Sequence, residues 1–71
     1  MQYTVIVEKG NVSWGVYVPD LPDCIAAGET HEEVLTLVQE AIEFHIEGLR
    51  EQGEPIPELH SFSELVEIEA V

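Results

Sequence analysis

Three kinds of side chain in this 71-residue chain have reactive chemistry of their own: one thiol, Cys24; three imidazoles, His31, His45 and His60; and fifteen carboxylates. A cysteine near a histidine can be a nucleophile when a positive neighbourhood stabilises its thiolate. Lys9 and Arg50 are the only fixed cations, and neither is close to Cys24 in sequence. Cys24 is therefore read as a small buried residue. Imidazoles are common metal ligands. His31 and His45 stand fourteen residues apart, which along a helix is about 21 Å, so one chain cannot bring both to one ion. A site shared between subunits is the remaining metal reading; the competing one, which we favour, makes His45 a packed residue at the edge of a core. With no spaced His/Cys ligand pairs either, no catalytic residue, metal or cofactor is expected.

The carboxylates set the charge instead. Fifteen acids against two bases give a formal net charge of −13. Nucleic acid and anionic membranes repel such a chain, because binding either requires cations that displace counterions. A basic protein would be attracted, and its encounter accelerated, by the same field. The competing explanation of the charge is solubility alone.

The elements that must position these groups follow from pattern. Residues 2–8 are β-branched and aromatic and read as a strand, with Tyr3, Val5 and Val7 on one face. Lys9-Gly10-Asn11 is a turn signal. Residues 12–18 form a second strand, with Trp14, Val16 and Val18 on one side and Gly15 marking a bulge or a close contact. Cys24 to Gly28 reads as a short third strand. Thr30 and Glu33 match a capping box, and a helix is expected from about His31 to Gln52. Its apolar stripe is Val34, Leu35, Val38, Ala41, Ile42, His45, Ile46 and Leu49. Gly48 permits close approach or is merely tolerated, and Gly53 closes the helix. Residues 54–58 are an extended linker, and Leu65 to Val71 read as a fourth strand. The expected class is α+β, one domain over residues 1–71, in the order β-β-β-α-β.

A chain of this size buries only roughly 60% of the surface it exposes unfolded. One cysteine excludes an internal disulfide. One helix covers one face of the sheet, although the first strand is apolar on both. Self-association as a dimer or higher homo-oligomer is therefore expected. A single free cysteine and the absence of a basic, apolar leader at Met1-Gln2-Tyr3-Thr4-Val5 point to the cytoplasm. No run approaches the roughly 20 apolar residues of a membrane span.

Between strands two and three lies Pro19-Asp20-Leu21-Pro22-Asp23. Each proline fixes φ and cannot donate to a ladder, so the segment is a stiff corner that ends one strand and aims the next. With the strand before it, Trp14-Gly15-Val16-Tyr17-Val18, and Cys24 after it, the corner resembles the aromatic strand and Pro-Asp-Leu-Pro-Gly-Cys of the HicB-like antitoxins. Gly28-Glu29-Thr30-His31-Glu32-Glu33-Val34 is similar to that family's Gly-Asp-Thr-x-Glu-Glu-Ala, and Gly53-Glu54-Pro55-Ile56-Pro57 to its Gly-x-Pro-Ile-Pro. The resemblance covers residues 2 to about 57 in three ordered motifs. It departs at Asp23, where the family usually has glycine.

The resemblance implies a truncated ribonuclease-H-like fold. It also implies a non-enzymatic antitoxin that binds HicA, a small basic toxin which cleaves messenger RNA, and inhibits it by covering its active surface. The expected partner contacts are Tyr17, Asp20, Leu21 and Asp23, with the two aspartates presented to a basic surface. Many family members add a helix-turn-helix or ribbon-helix-helix. The sequence runs only to Val71, so the short form without a DNA-binding domain is expected, without direct nucleic-acid contact. The alternatives are a solitary acidic oligomeric module with no toxin and a metal-dependent nuclease. The nuclease is disfavoured, because it needs carboxylates clustered at the sheet centre and strand one offers only Glu8, at its end.

Overall fold

The computed structural model describes residues 1–70. Three strands, β1 (Ile6–Lys9), β2 (Trp14–Tyr17) and β3 (Ile25–Gly28), are followed by one helix, α1 (His31–Glu51). The sheet order is β1-β2-β3, antiparallel throughout. The class is α+β, as the patterning predicts, although each ladder is shorter than its apolar run. Tyr3 and Val5 lie ahead of β1 yet still pack against the core.

Register fixes what each face presents. Val7 pairs with Val16 and Val16 with Ala26, on the side that α1 covers; Ile6, Tyr17 and Ile25 line up on the other. The core is Val16, Val18, Leu21 and Cys24 from the sheet and corner with Val34, Val38 and Ile46 from the helix. Gly15 pairs in unbroken register with Glu8 and Ala27 and has no atom within 4 Å of a Cβ built on it. The expected bulge or close contact there is not present.

Helix α1 starts and stops where local chemistry dictates. The Thr30 hydroxyl accepts the Glu33 N–H at 3.0 Å, while the Glu33 carboxylate reaches back to the Glu29 N–H at 3.4 Å. This is a capping box displaced by one residue on its return arm. At the other end Gly53 takes φ +69°; its N–H donates to the Arg50 carbonyl and the Glu54 N–H to that of Leu49. Both bonds of a Schellman motif are thereby made, and they need a residue without a Cβ penalty in the left-handed region.

Gly48 sits in open space, with nothing within 4 Å of an added Cβ, so it is tolerated rather than needed. Gly48→Ala should raise stability by about 0.5–1 kcal/mol, the helix-propensity difference, measured as an upward shift of the urea midpoint at unchanged slope. A lower midpoint would show that the helix backbone is approached there.

The fourth strand is not formed. Residues 54–70 carry no regular element, and Leu65, Val66 and Ile68 are 102%, 78% and 82% exposed; Val71, the end of the expected strand, lies outside the described residues. A strand needs a neighbour to satisfy its backbone groups, and among the described residues no strand pairs with this segment. Helix α1 is about 31 Å long at its rise per residue, whereas the chain extends over 52 Å, because the segment after Ser61 projects from the body.

Candidate partner-binding surface

The corner is two consecutive β-turns. The Leu21 N–H donates to the Val18 carbonyl at 3.0 Å and the Cys24 N–H to the Leu21 carbonyl at 2.8 Å. Each turn has proline second and aspartate third, and among the described residues no non-glycine residue takes a positive φ. Both turns therefore belong to the class that accepts any residue at the third position. Asp23 is accommodated without strain, although it replaces the family's glycine.

The turns send the four expected contacts to different places. Tyr17 is 42% exposed and Asp23 is exposed, whereas Leu21 is 1% and Asp20 6% exposed. Asp20 and Leu21, two of the four expected contacts, thus lie in the interior of this chain. Leucine at the junction of the two turns is driven inward by its apolar surface. Asp20 is drawn inward by donors from the segment after the helix. One carboxylate oxygen accepts the N–H groups of His60 (2.9 Å) and Ser61 (3.1 Å). The other accepts the Ser61 hydroxyl (2.5 Å) and faces His60 Nε2 (3.2 Å). The Ser61 hydroxyl, above all, holds the Asp20 carboxyl below the usual carboxylate range, against its burial and with help from both backbone N–H groups and His60.

Two further bonds complete this clasp. The Tyr3 hydroxyl donates to the Pro57 carbonyl, and the Thr4 hydroxyl to that of Ser61 at 2.5 Å. Burial, followed by the charge of Asp20, raises the Tyr3 phenol above its ordinary value. Sequence alone did not pair Asp20 with residues forty positions away; the signal was a Ser after a His in a segment with no element of its own, which is too weak to read.

The remaining reactive groups do not converge. Cys24 is buried, its thiol facing the Ala41 carbonyl at 3.8 Å, and burial, then Asp23, push its pKa up. This matches its expected role as a packed residue. His31 meets Trp14 edge-on at 5.2 Å, with Lys9 Nζ 5.7 Å from the same ring. His45 is half-buried on the helix. His60 serves the clasp.

What stays open is the sheet face away from α1. Tyr17 lies beside Ile25, which is 68% exposed, with Ile6 on the other side and Glu8, Gly15 and Ala27 in the next row. Asp23 comes two residues before Ile25. Ile25 was not singled out from sequence; strict alternation against Ala26 would have placed it with Tyr17. Phe44, 80% exposed on the helix, falls outside the apolar stripe, so helical periodicity does not mark it either.

Three antiparallel strands backed by one helix, with an open face edged by acids, define a small α+β domain built to present a surface. Its sequence matches the model of the HicB-like antitoxin of bacterial toxin–antitoxin systems over residues 3–70, and the chain belongs to that family. It is 39% identical over 66 residues to an uncharacterized 14.9 kDa protein of Haemophilus phage HP1, covering 93% of this chain and 50% of that one. It is 33% identical over 69 residues to antitoxin HicB 2 of Photorhabdus laumondii, covering 92% and 50%. The chain thus spans about half the length of these relatives. In three dimensions it superposes on the N-terminal domain of Burkholderia pseudomallei antitoxin HicB with a TM-score of 0.79 and 35% identity, over 87% of this chain and 74% of that one. Among the described residues no helix is long and apolar enough to cross a membrane.

Proposed function

We propose that this chain is the inhibitory partner of a small basic, HicA-like toxin that cleaves messenger RNA. It acts without catalysis, by covering the toxin's active surface, and it does so in the cytoplasm as a homo-oligomer. The observation that carries this is the conjunction, in a member of an antitoxin family, of a net charge of −13 with an open sheet face bearing Tyr17 and Ile25. A basic RNA-binding surface is the complement of the charge, and aromatic and aliphatic anchors inside a polar rim are what interfaces use. Tyr17 supplies the anchor and Asp23 the charge. Asp20 and Leu21 contribute only by shaping the corner that holds Asp23 out.

The test is a search beside this chain's gene for one encoding a short basic protein, and co-expression with that protein, read first as rescue of growth and then as binding by calorimetry; absence of such a gene favours a solitary acidic module. Tyr17→Ala combined with Asp23→Lys should weaken binding at least about tenfold, roughly 1.4 kcal/mol or more, while far-ultraviolet circular dichroism is unchanged. Unaltered affinity would move the interface elsewhere, and failure to rescue growth would leave a solitary acidic module as the better description. Binding should also weaken as salt rises, since opposite charges are being screened.

A further inference from the structure

The segment after the clasp and the free edge of β1 are each incomplete in a way that the other would complete. Strand β1 has one neighbour, β2, and its outer edge pairs with nothing among the described residues. Helix α1 lies mainly over β3 and β2 and touches β1 least. The result is a groove of about 690 Å³ between α1 and the residues that lead into β1, whose apolar lining includes Tyr3, Val5, Leu35, Val38, Ile42 and Ile46. Glu43, Glu47 and Arg50 also line it. An unpaired edge next to an apolar groove is a ready template for one more strand.

Residues 65–70, Leu-Val-Glu-Ile-Glu-Ala, have the pattern such a site requires. Val66, Ile68 and Ala70 alternate with Glu67 and Glu69, so one face would enter the groove while the other kept its charges in water. All six residues are exposed. Their course is set at Ser61, which Asp20 and Thr4 hold to the body; from Phe62 onward every described residue is exposed. A return onto the chain's own β1 would require a reversal within Phe62-Ser63-Glu64, where Ser63, a weak turn former, is the one turn-favouring residue. An outward course requires no turn at all. Nine extended residues from 62 to 70 reach about 30 Å, enough to leave one body and run the length of an edge on another.

We propose that residues 65–70 of one copy add as a fourth strand to the β1 edge of a second copy, reciprocally, so that the protein is a strand-exchanged dimer. This rests on the self-association included in the function proposed above and gives it a route. Each copy supplies what the other lacks: a partner for the β1 backbone and an apolar cover for the groove. Exchange of an identical element is a low-cost path to a two-fold dimer. Its electrostatics are opposite in sign to those of toxin binding. Two chains of −13 repel, and Glu67 and Glu69 approach Glu43 and Glu47, with Arg50 as the one cationic side chain among the described residues that line the groove. Screening must therefore strengthen the dimer.

The experiment uses the full chain. Light scattering across a salt series should show a dimer that tightens as ionic strength rises. In a sample mixing isotope-labelled and unlabelled copies, filtered nuclear Overhauser contacts should run from the Val66 and Ile68 methyls of one copy to Val5 and Ile42 of the other. Ile68→Lys, at a position 82% exposed in the single chain, should leave the helical signal intact and weaken dimerisation at least about tenfold. A dimer indifferent to Ile68→Lys would place the contact on another surface, and contacts found only within one copy would show a tail that returns home; either overturns strand exchange. A protein that stays monomeric at every salt concentration overturns self-association as well. Toxin binding is read separately, and Tyr17→Ala with Asp23→Lys should leave the dimer unchanged, so the two proposals fail independently.

Discussion

Leu21→Ala should cost about 3–5 kcal/mol of folding stability, a large part of all that a chain of this length has, since domains hold only about 0.05–0.15 kcal/mol per residue. Leu21 is 1% exposed and is among the largest fully buried side chains. Its backbone N–H closes the first turn of the corner and its carbonyl the second. The side chain is therefore fixed by its own backbone between sheet and helix, in a cluster with Val18, Val34 and Val38. Such a site relaxes little when methyl groups are removed, so a cavity term adds to the lost transfer energy. Urea unfolding monitored by circular dichroism should show a midpoint far below that of the wild type or, at the low end of that stability range, a chain already largely unfolded. A loss below about 1 kcal/mol, the range of surface changes, would mean that Leu21 is not in the core and would return it to the set of partner contacts. Leu21→Met, which conserves volume, should cost less than about 1.5 kcal/mol.

Asp20→Ala should release the segment after the helix while leaving sheet and helix in place. The carboxylate is the shared acceptor of two backbone N–H groups and one hydroxyl; without it these donors of His60 and Ser61 are left to water, and nothing at the corner holds the segment down. Amide exchange should show His60 and Ser61 losing protection completely, with the α1 amides unchanged. Persistent protection at both residues would show that the Tyr3 and Thr4 bonds suffice to hold the segment.

The same clasp has a pH dependence of definite sign. The folded Asp20 pKa lies below its ordinary 3.8, so the folded state favours the ionised form. The resulting stability is complete above the ordinary value and drains away as pH falls through the lower, folded one. Titrating the His60 and Ser61 amide shifts in the wild type against Asp20→Asn isolates this carboxyl from the other fourteen. The stability difference should be constant above about pH 5 and shrink below it. Equal acid dependence in the two proteins would assign the effect to other carboxyls. Because the tail proposed to exchange begins at Ser61, acid should also loosen the root of the exchanging strand.

How much of this was legible before the structure depends on the range of the forces involved. Helix α1 was, within a residue at each end: Thr30, Glu33 and Gly53 act on backbone groups a few positions away, and the stripe of Val34, Val38 and Ile46 repeats at the helical period. So were the hairpin and the inward face of β2, since alternation needs only neighbours. The family was legible because its three motifs are local turns and caps. Cys24 as a packed residue followed from the scarcity of cations.

Composition and local pattern by themselves determined an acidic α+β domain with one helix, because charge, periodicity and turn chemistry act between residues close in the chain. Only the tertiary structure decided the fate of Asp20, whose donors lie forty residues on, and of Leu21, which two turns rotate inward. Tertiary contacts also left residues 65–70 unpaired, since alternation prepares a strand but only a neighbouring edge can make one. Whether an acid is a lure for a partner or a peg for its own chain is set by which donors the fold brings to it.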